Sequence, residues 1–97
     1  MQIIIKPDAE IDIRQAHAWY LNLSPSVAQR YLSELGDAFA FLTQFPEASP
    51  ICLNSCRQHV MKRFPYLIVY ERSDEIIFIH AVFHASRDRT AIVERLS

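Results

Sequence analysis

Apolar residues in this chain follow two different periods. From Tyr66 to Tyr70 and from Ile76 to Phe83 the sequence is dense in Ile, Val, Phe and Tyr, with Arg72-Ser73-Asp74-Glu75 between the two runs, which is the pattern of a β-hairpin. Alternation puts Tyr66, Ile68 and Tyr70 on one face and Leu67 and Val69 on the other. In the second run it sets Ile77, Ile79, Ala81 and Phe83 against Ile76, Phe78, His80, Val82 and His84. Both faces of each strand are therefore mostly apolar, so the hairpin is expected to be central and covered on part of both sides. The same alternation puts His80 and His84 on one face.

The N-terminal half supplies the cover. Gln2 to Ile5 reads as a short β-branched strand stopped by Lys6-Pro7. Asp8 is placed to cap a helix whose early turns carry Glu10 and Asp12, the charges favoured at the positive end of a helix dipole. Ala9, Ile13, Ala16 and Tyr20 recur at helical spacing, with Trp19 beside them. Ser24 suits an N-cap and Pro25 the first position of a second helix. Along that helix Ala28, Tyr31, Leu32, Leu35, Phe39 and Leu42 trace an apolar stripe, widened by Phe41 and Phe45. It stops at Phe45, because the residue before Pro46 is pushed out of the α region. Gly36, the only glycine, lies mid-helix at a cost of about 1 kcal/mol, which points to a close approach against the first helix.

Pro46 to Asn54 reads as a loop and Ser55 to Arg63 as an edge or half-exposed strand, redirected by Phe64-Pro65 into the Tyr66 strand. Residues 90–96 fit either a helical turn or an added strand. The expected fold is α+β: a short N-terminal strand, then a two-helix antiparallel hairpin packed on a small, mainly antiparallel sheet of three to four strands. Residues 1–97 are expected to form one domain.

Composition narrows the function classes. Hydrophobic residues make up 51% of the chain, which excludes a disordered polymer. A net charge of −1 gives no overall field for nucleic acid, although the charge is uneven. Residues 57–97 hold Arg57, Lys62, Arg63, Arg72, Arg87, Arg89 and Arg95 against five acids, so the sheet half is mildly basic. No apolar run approaches the ~20 residues needed to span a bilayer, and a cytoplasmic protein without membrane attachment is expected. Cys52 and Cys56 have no partner pair at metal-finger spacing, so free thiols and no metal or cofactor are expected.

Individual polar residues admit bland readings. His80 suits a core or groove histidine with a hydrogen-bond partner, and Tyr66 and Tyr70 suit core positions with wet hydroxyls. Arg57 and Arg63, six apart on one expected strand, would point to the same face if no bulge intervenes. A solvated face or an ion pair to Glu71 or Glu75 explains them equally well.

Taken together, Arg57, Lys62-Arg63-Phe64-Pro65-Tyr66, Val82-Phe83-His84, Arg87-Asp88 and Arg95, with Ala18-Trp19-Tyr20 and Phe45-Pro46, resemble the RelE/ParE family of type II toxins. The resemblance implies a growth-inhibiting toxin held by a cognate antitoxin encoded beside it. It also implies one of two targets, DNA gyrase in the ParE branch or mRNA on the ribosome in the RelE branch. For RNA cleavage His84 could act as acid or base, with Arg57, Arg63 and Arg87 as phosphate partners. Without cleavage the same rim, Arg57, Arg63, Tyr66, His84, Arg87 and Arg95, is the expected partner-binding set. Residues 85–97 lack the C-terminal tyrosine common in the RelE pattern, and the helical hairpin resembles the ParE branch in length. With the near-neutral charge, a poor match to rRNA docking, these favour ParE. A ribosome-dependent endoribonuclease and an inactive interaction module are the alternatives, the second supported by Arg89, which stands where the family commonly has proline.

Overall fold

The computed structural model describes residues 1–97. The elements run β1 (Gln2–Ile5), α1 (Pro7–Leu23), α2 (Pro25–Gln44), β2 (Ile51–Leu53), β3 (Cys56–Val60), β4 (Tyr66–Ser73), β5 (Ile76–His84) and α3 (Arg89–Leu96). The five strands form one sheet in the order β1-β5-β4-β3-β2. Every pairing is antiparallel except that of β1 with β5. The sheet has one strand more than the upper expectation, because the stretch read as loop from Pro46 to Asn54 contains β2. Asn54, at φ 53°, then reverses the chain into β3.

Ser24 alone separates α1 from α2, which forces the two helices into a hairpin. Pro25 opens α2 as expected, and Ser24 occupies the N-cap position, but its hydroxyl sits 3.2 Å from Ser26 Oγ instead of bonding a helix N–H. α1 starts earlier than expected. Pro7, whose fixed φ is already helical, takes the first position and Lys6 the N-cap, so Asp8 lies inside the first turn.

The apolar stripes pack as their spacing predicts. Ala9, Ala16 and Tyr20 of α1 and Ala28, Tyr31, Leu35, Ala38 and Leu42 of α2 close over Ile68, Tyr70, Ile77, Ile79 and Val82 of the sheet. Gly36 departs from expectation: it is exposed, and a Cβ built there would meet nothing within 4 Å. It makes no close approach. The opposite sheet face carries a smaller cluster of Cys52, Cys56, Val69, Ala81 and Phe83, covered by Ile92 of α3. Residues 90–96 are therefore helical. Asp88 caps the helix by accepting from the Thr90 N–H at 2.9 Å, and Arg89 fills the first helical position, the one most hospitable to proline.

One irregularity reorganises the central hairpin. Val69 pairs with Ala81 but Tyr70 with Ile79, so His80 is an extra residue on β5, a bulge. Beyond it the alternation changes phase. Ile77 and Ile79 face the helical hairpin, whereas Ala81 and Phe83 face α3. His80 and His84 consequently do not share a face: His80 meets Glu71, while His84 packs edge-on against Tyr66 at 5.3 Å.

Candidate functional site

The three main clefts between these elements each draw on different parts of the sequence. The first, about 670 Å³, lies between α1 and the ends of β4 and β5. Trp19, Tyr20 and Leu23 form its helical wall, and Tyr66, Phe83, His84 and Arg87 the other. Trp19 and Leu23 are 59% and 64% exposed, large apolar surface held out on the last turns of α1. Tyr20, Tyr31, Phe64 and Tyr66 stack beneath them with ring centroids 5.1–6.2 Å apart, so the floor is rigid aromatic packing. Burial, with Tyr20 alongside, pushes the Tyr66 hydroxyl up to about 12, and burial raises Tyr31 further still. Both hydroxyls stay protonated.

At the rim of this cleft the Arg87 guanidinium lies 4.4 Å from the Phe83 ring centroid, a cation–π contact. His84 Nδ1 accepts from the Ser86 N–H at 3.1 Å and lies 2.7 Å from Ser86 Oγ. The acceptor role of Nδ1 puts the neutral ring's proton on Nε2.

The second cleft, about 680 Å³, runs between α2 and the β3–β4 connection. Glu34 anchors its floor by accepting from the Arg63 N–H at 2.9 Å and the Phe64 N–H at 3.2 Å. Arg63, Lys62, Arg30 and His59 contribute positive or titratable groups, with Phe41 and Met61 as apolar lining. Burial, with Lys62 nearby, lowers the His59 pKa. Sequence reading treated His59 only as a polar strand residue; its stacking on Phe41 at 5.3 Å comes from a register set by β3–β4 pairing.

The third cleft, about 530 Å³, lies on the α3 face and brings Cys56, Glu71 and His80 together with Lys6, Asp8 and Arg95. Hydrogen bonds from Ser55 and His80 hold the Glu71 carboxyl below its ordinary range. Burial and the adjacent Glu71 push the Cys56 thiol up to about 11. Both cysteines are free. These three side chains are the group whose donor atoms converge closely enough to hold a metal ion.

The sequence-derived set is thus divided among several surfaces. Tyr66, His84 and Arg87 share the first cleft and Arg63 lines the second. Arg57 enters neither; its guanidinium donates to the Glu47 carbonyl at 3.2 Å and the Ser49 carbonyl at 2.8 Å, tying down the loop before β2. Arg57 and Arg63 do not share a strand face, because β3 ends at Val60 and the alternation stops before Arg63. Arg95 is bound to Asp12 and to the His80 carbonyl.

A helical hairpin thus packs on one face of a five-stranded mixed sheet, with a short helix on the other. The fold matches that of a solved structure described as the chromosomal ParDE TA system from P. aeruginosa, with a TM-score of 0.77 and 16% identity over 89% of this chain and 97% of that one. The family described as the ParE toxin of the type II toxin-antitoxin system parDE matches residues 3–89, and the chain belongs to it. Among curated proteins, none matches the sequence.

Proposed function

We propose that this ParE-type toxin arrests growth by binding DNA gyrase, without cutting RNA, and that a cognate antitoxin holds it inactive. The observation that carries the reading is the dispersal of the residues a nuclease would need, within a chain of the ParE family. A metal-free ribonuclease must place base, acid and phosphate-binding cations around one scissile bond, at hydrogen-bond reach. Here His84 and Arg87 share one cleft, Arg63 lines another, and Arg57 is spent on backbone carbonyls. That geometry supports a protein that acts by contact.

The antitoxin docks on the first cleft. Exposed Trp19 and Leu23 beside Tyr66 offer pockets for apolar anchors, and Arg87 at the rim selects acidic residues flanking them. A segment that is disordered alone and folds on this surface fits an extended cleft of this kind.

Induction in cells tests the reading. Growth should stop, plasmid DNA should lose negative supercoiling, mRNA 5′ ends should be unchanged, and co-expression of the neighbouring open reading frame should restore growth. New codon-phased mRNA ends with supercoiling intact would establish the endoribonuclease reading instead. Absence of any growth defect would point to an inactive interaction module.

A further inference from the structure

We infer that Cys56, Glu71 and His80 form a zinc site with an open fourth position on the α3 face of the sheet, independent of the toxin's target and antitoxin. The three residues lie on three adjacent strands. The register that pairs Arg57 with Tyr70 sets Cys56 opposite Glu71, and the β5 bulge swings His80 onto the same face. His80 Nε2 lies 3.1 Å from Glu71 Oε1, Cys56 Sγ lies 3.8 Å from the same oxygen, and all three donor atoms fall within 4.8 Å of one another.

Zinc at ~2.3 Å from sulfur and ~2.0–2.2 Å from nitrogen and oxygen needs tetrahedral donors roughly 3.3–3.6 Å apart. Two of the three edges are already near that range, and the third, no longer than 4.8 Å, closes with a movement of about 1.2 Å at most. The donor set, one thiolate, one imidazole and one carboxylate, is the mixed S/N/O combination that suits zinc. Three protein ligands leave a fourth position facing the 530 Å³ cleft, where a water or an incoming ligand atom completes the tetrahedron.

The surroundings supply orienting contacts. Ser55 Oγ donates to Glu71 Oε2 at 2.9 Å, leaving Oε1 as the oxygen turned to Cys56 and His80. Arg95 donates to the His80 carbonyl at 3.0 Å and fixes the backbone of the bulge. The two cations of the cleft are engaged elsewhere, Arg95 by Asp12 and Lys6 over the Phe78 ring at 5.4 Å. On binding, the Cys56 thiol gives up its proton to solvent and the sulfur–zinc bond forms; the Nε2 proton that His80 shares with Glu71 shifts to Nδ1 of the neutral ring, or leaves to solvent from the imidazolium, and Nε2 and Oε1 exchange their hydrogen bond for two metal bonds. Thiolate and carboxylate together balance the dication. The ion would cross-link β3, β4 and β5 beneath the end of α3.

The test uses the full, metal-free chain titrated with Co²⁺ and then Zn²⁺. One equivalent should bind, with a thiolate-to-cobalt charge-transfer band in the near ultraviolet that Zn²⁺ abolishes. Cys56→Ser should remove the band, and Cys56→Ser or His80→Gln should weaken Zn²⁺ binding by more than ~100-fold, beyond the loss typical of an outer-shell partner. Ser55→Ala should weaken it about 10-fold, and Cys52→Ser should leave stoichiometry and band intact. Circular dichroism on each variant separates lost binding from lost folding. A band that persists in Cys56→Ser, Zn²⁺ affinity unchanged in folded His80→Gln, or no band at saturating Co²⁺ would overturn the site and leave a hydrogen-bonded triad.

Discussion

Asp12 and Arg95 stand 83 residues apart in sequence and meet through two bonds, Oδ2 to Nη1 at 2.8 Å and Oδ1 to Nη2 at 3.1 Å. Their position explains why. β1 pairs with β5 only as far as Ile79, which leaves the β5 edge without a strand partner beyond that point. Asp12 accepts the Val82 N–H at 3.0 Å and Arg95 donates to the His80 carbonyl, so the pair takes over the ladder where β1 stops. The two side chains are 10% and 20% exposed, which makes the charges costly to orphan. Asp12→Ala should therefore cost about 2–3 kcal/mol, read as a lower urea midpoint at unchanged m-value. A loss below about 0.5 kcal/mol would put the pair among surface ion pairs of little weight.

Gly36 offers a stabilising change. It is exposed in the middle of α2, and a Cβ there meets no neighbour within 4 Å. Gly36→Ala should add about 0.5–1 kcal/mol by restricting the unfolded chain and restoring helix propensity. A destabilised variant would mean that the backbone at this point is not the regular helix seen.

The Tyr31 hydroxyl is fully buried and makes no hydrogen bond to protein atoms. Its ring does the packing, against Tyr20, Phe64 and Tyr66. Tyr31→Phe should be neutral or stabilising by up to about 1 kcal/mol, whereas Tyr31→Ala should cost about 3–5 kcal/mol. Thermal unfolding of both variants checks the contrast, and a clearly destabilised Tyr31→Phe would reveal a partner for the hydroxyl.

Burial of His59 between Phe41 and Ser49, with Lys62 nearby, lowers its folded pKa below the unfolded value of 6.5. The unfolded chain then binds the proton more readily, so this contribution to stability is present above pH 6.5 and is lost as pH falls through the folded pKa. Denaturation midpoints should drop as pH is lowered from 6.5, and His59→Gln should flatten that limb. An identical slope in the variant would remove His59 as its source.

How much of this was legible before the coordinates depended on whether the signal was periodic. The stripes through Tyr20 and through Ala28, Tyr31, Leu35 and Leu42 set the helical hairpin, because one apolar face per turn can be buried in only one way. The β5 bulge left no trace in hydrophobicity, since both phases of Ile76 to Phe83 are apolar and a slip of one residue exchanges one greasy face for another. That slip decides where His80 and His84 point and which donors surround Glu71, so the composition of two clefts was hidden with it. β2 is three residues between Pro50 and Asn54, too short to show a period. Asp12 read as a helix-dipole charge because its partner is a distant arginine on another element, and the arginines read as one rim because sequence distance says nothing about which carbonyl or carboxylate takes each guanidinium.

The docking surface makes its own prediction. Trp19→Ala should weaken antitoxin binding by about 30-fold or more, the effect of losing an aromatic anchor, while leaving the fold intact because the side chain is exposed. Arg87→Glu should slow association and reduce its salt dependence. Isothermal titration and stopped-flow binding on the toxin–antitoxin pair read both; full affinity in both variants would move the interface off this cleft.

The most direct measurement of the central claim is supercoiling of relaxed plasmid by purified gyrase in the presence of the purified chain. Inhibition that rises with toxin concentration, reverses on adding antitoxin and survives His84→Ala is the result predicted for a toxin that acts by binding. Undisturbed supercoiling, together with cleavage of translated mRNA that vanishes in His84→Ala, would contradict it.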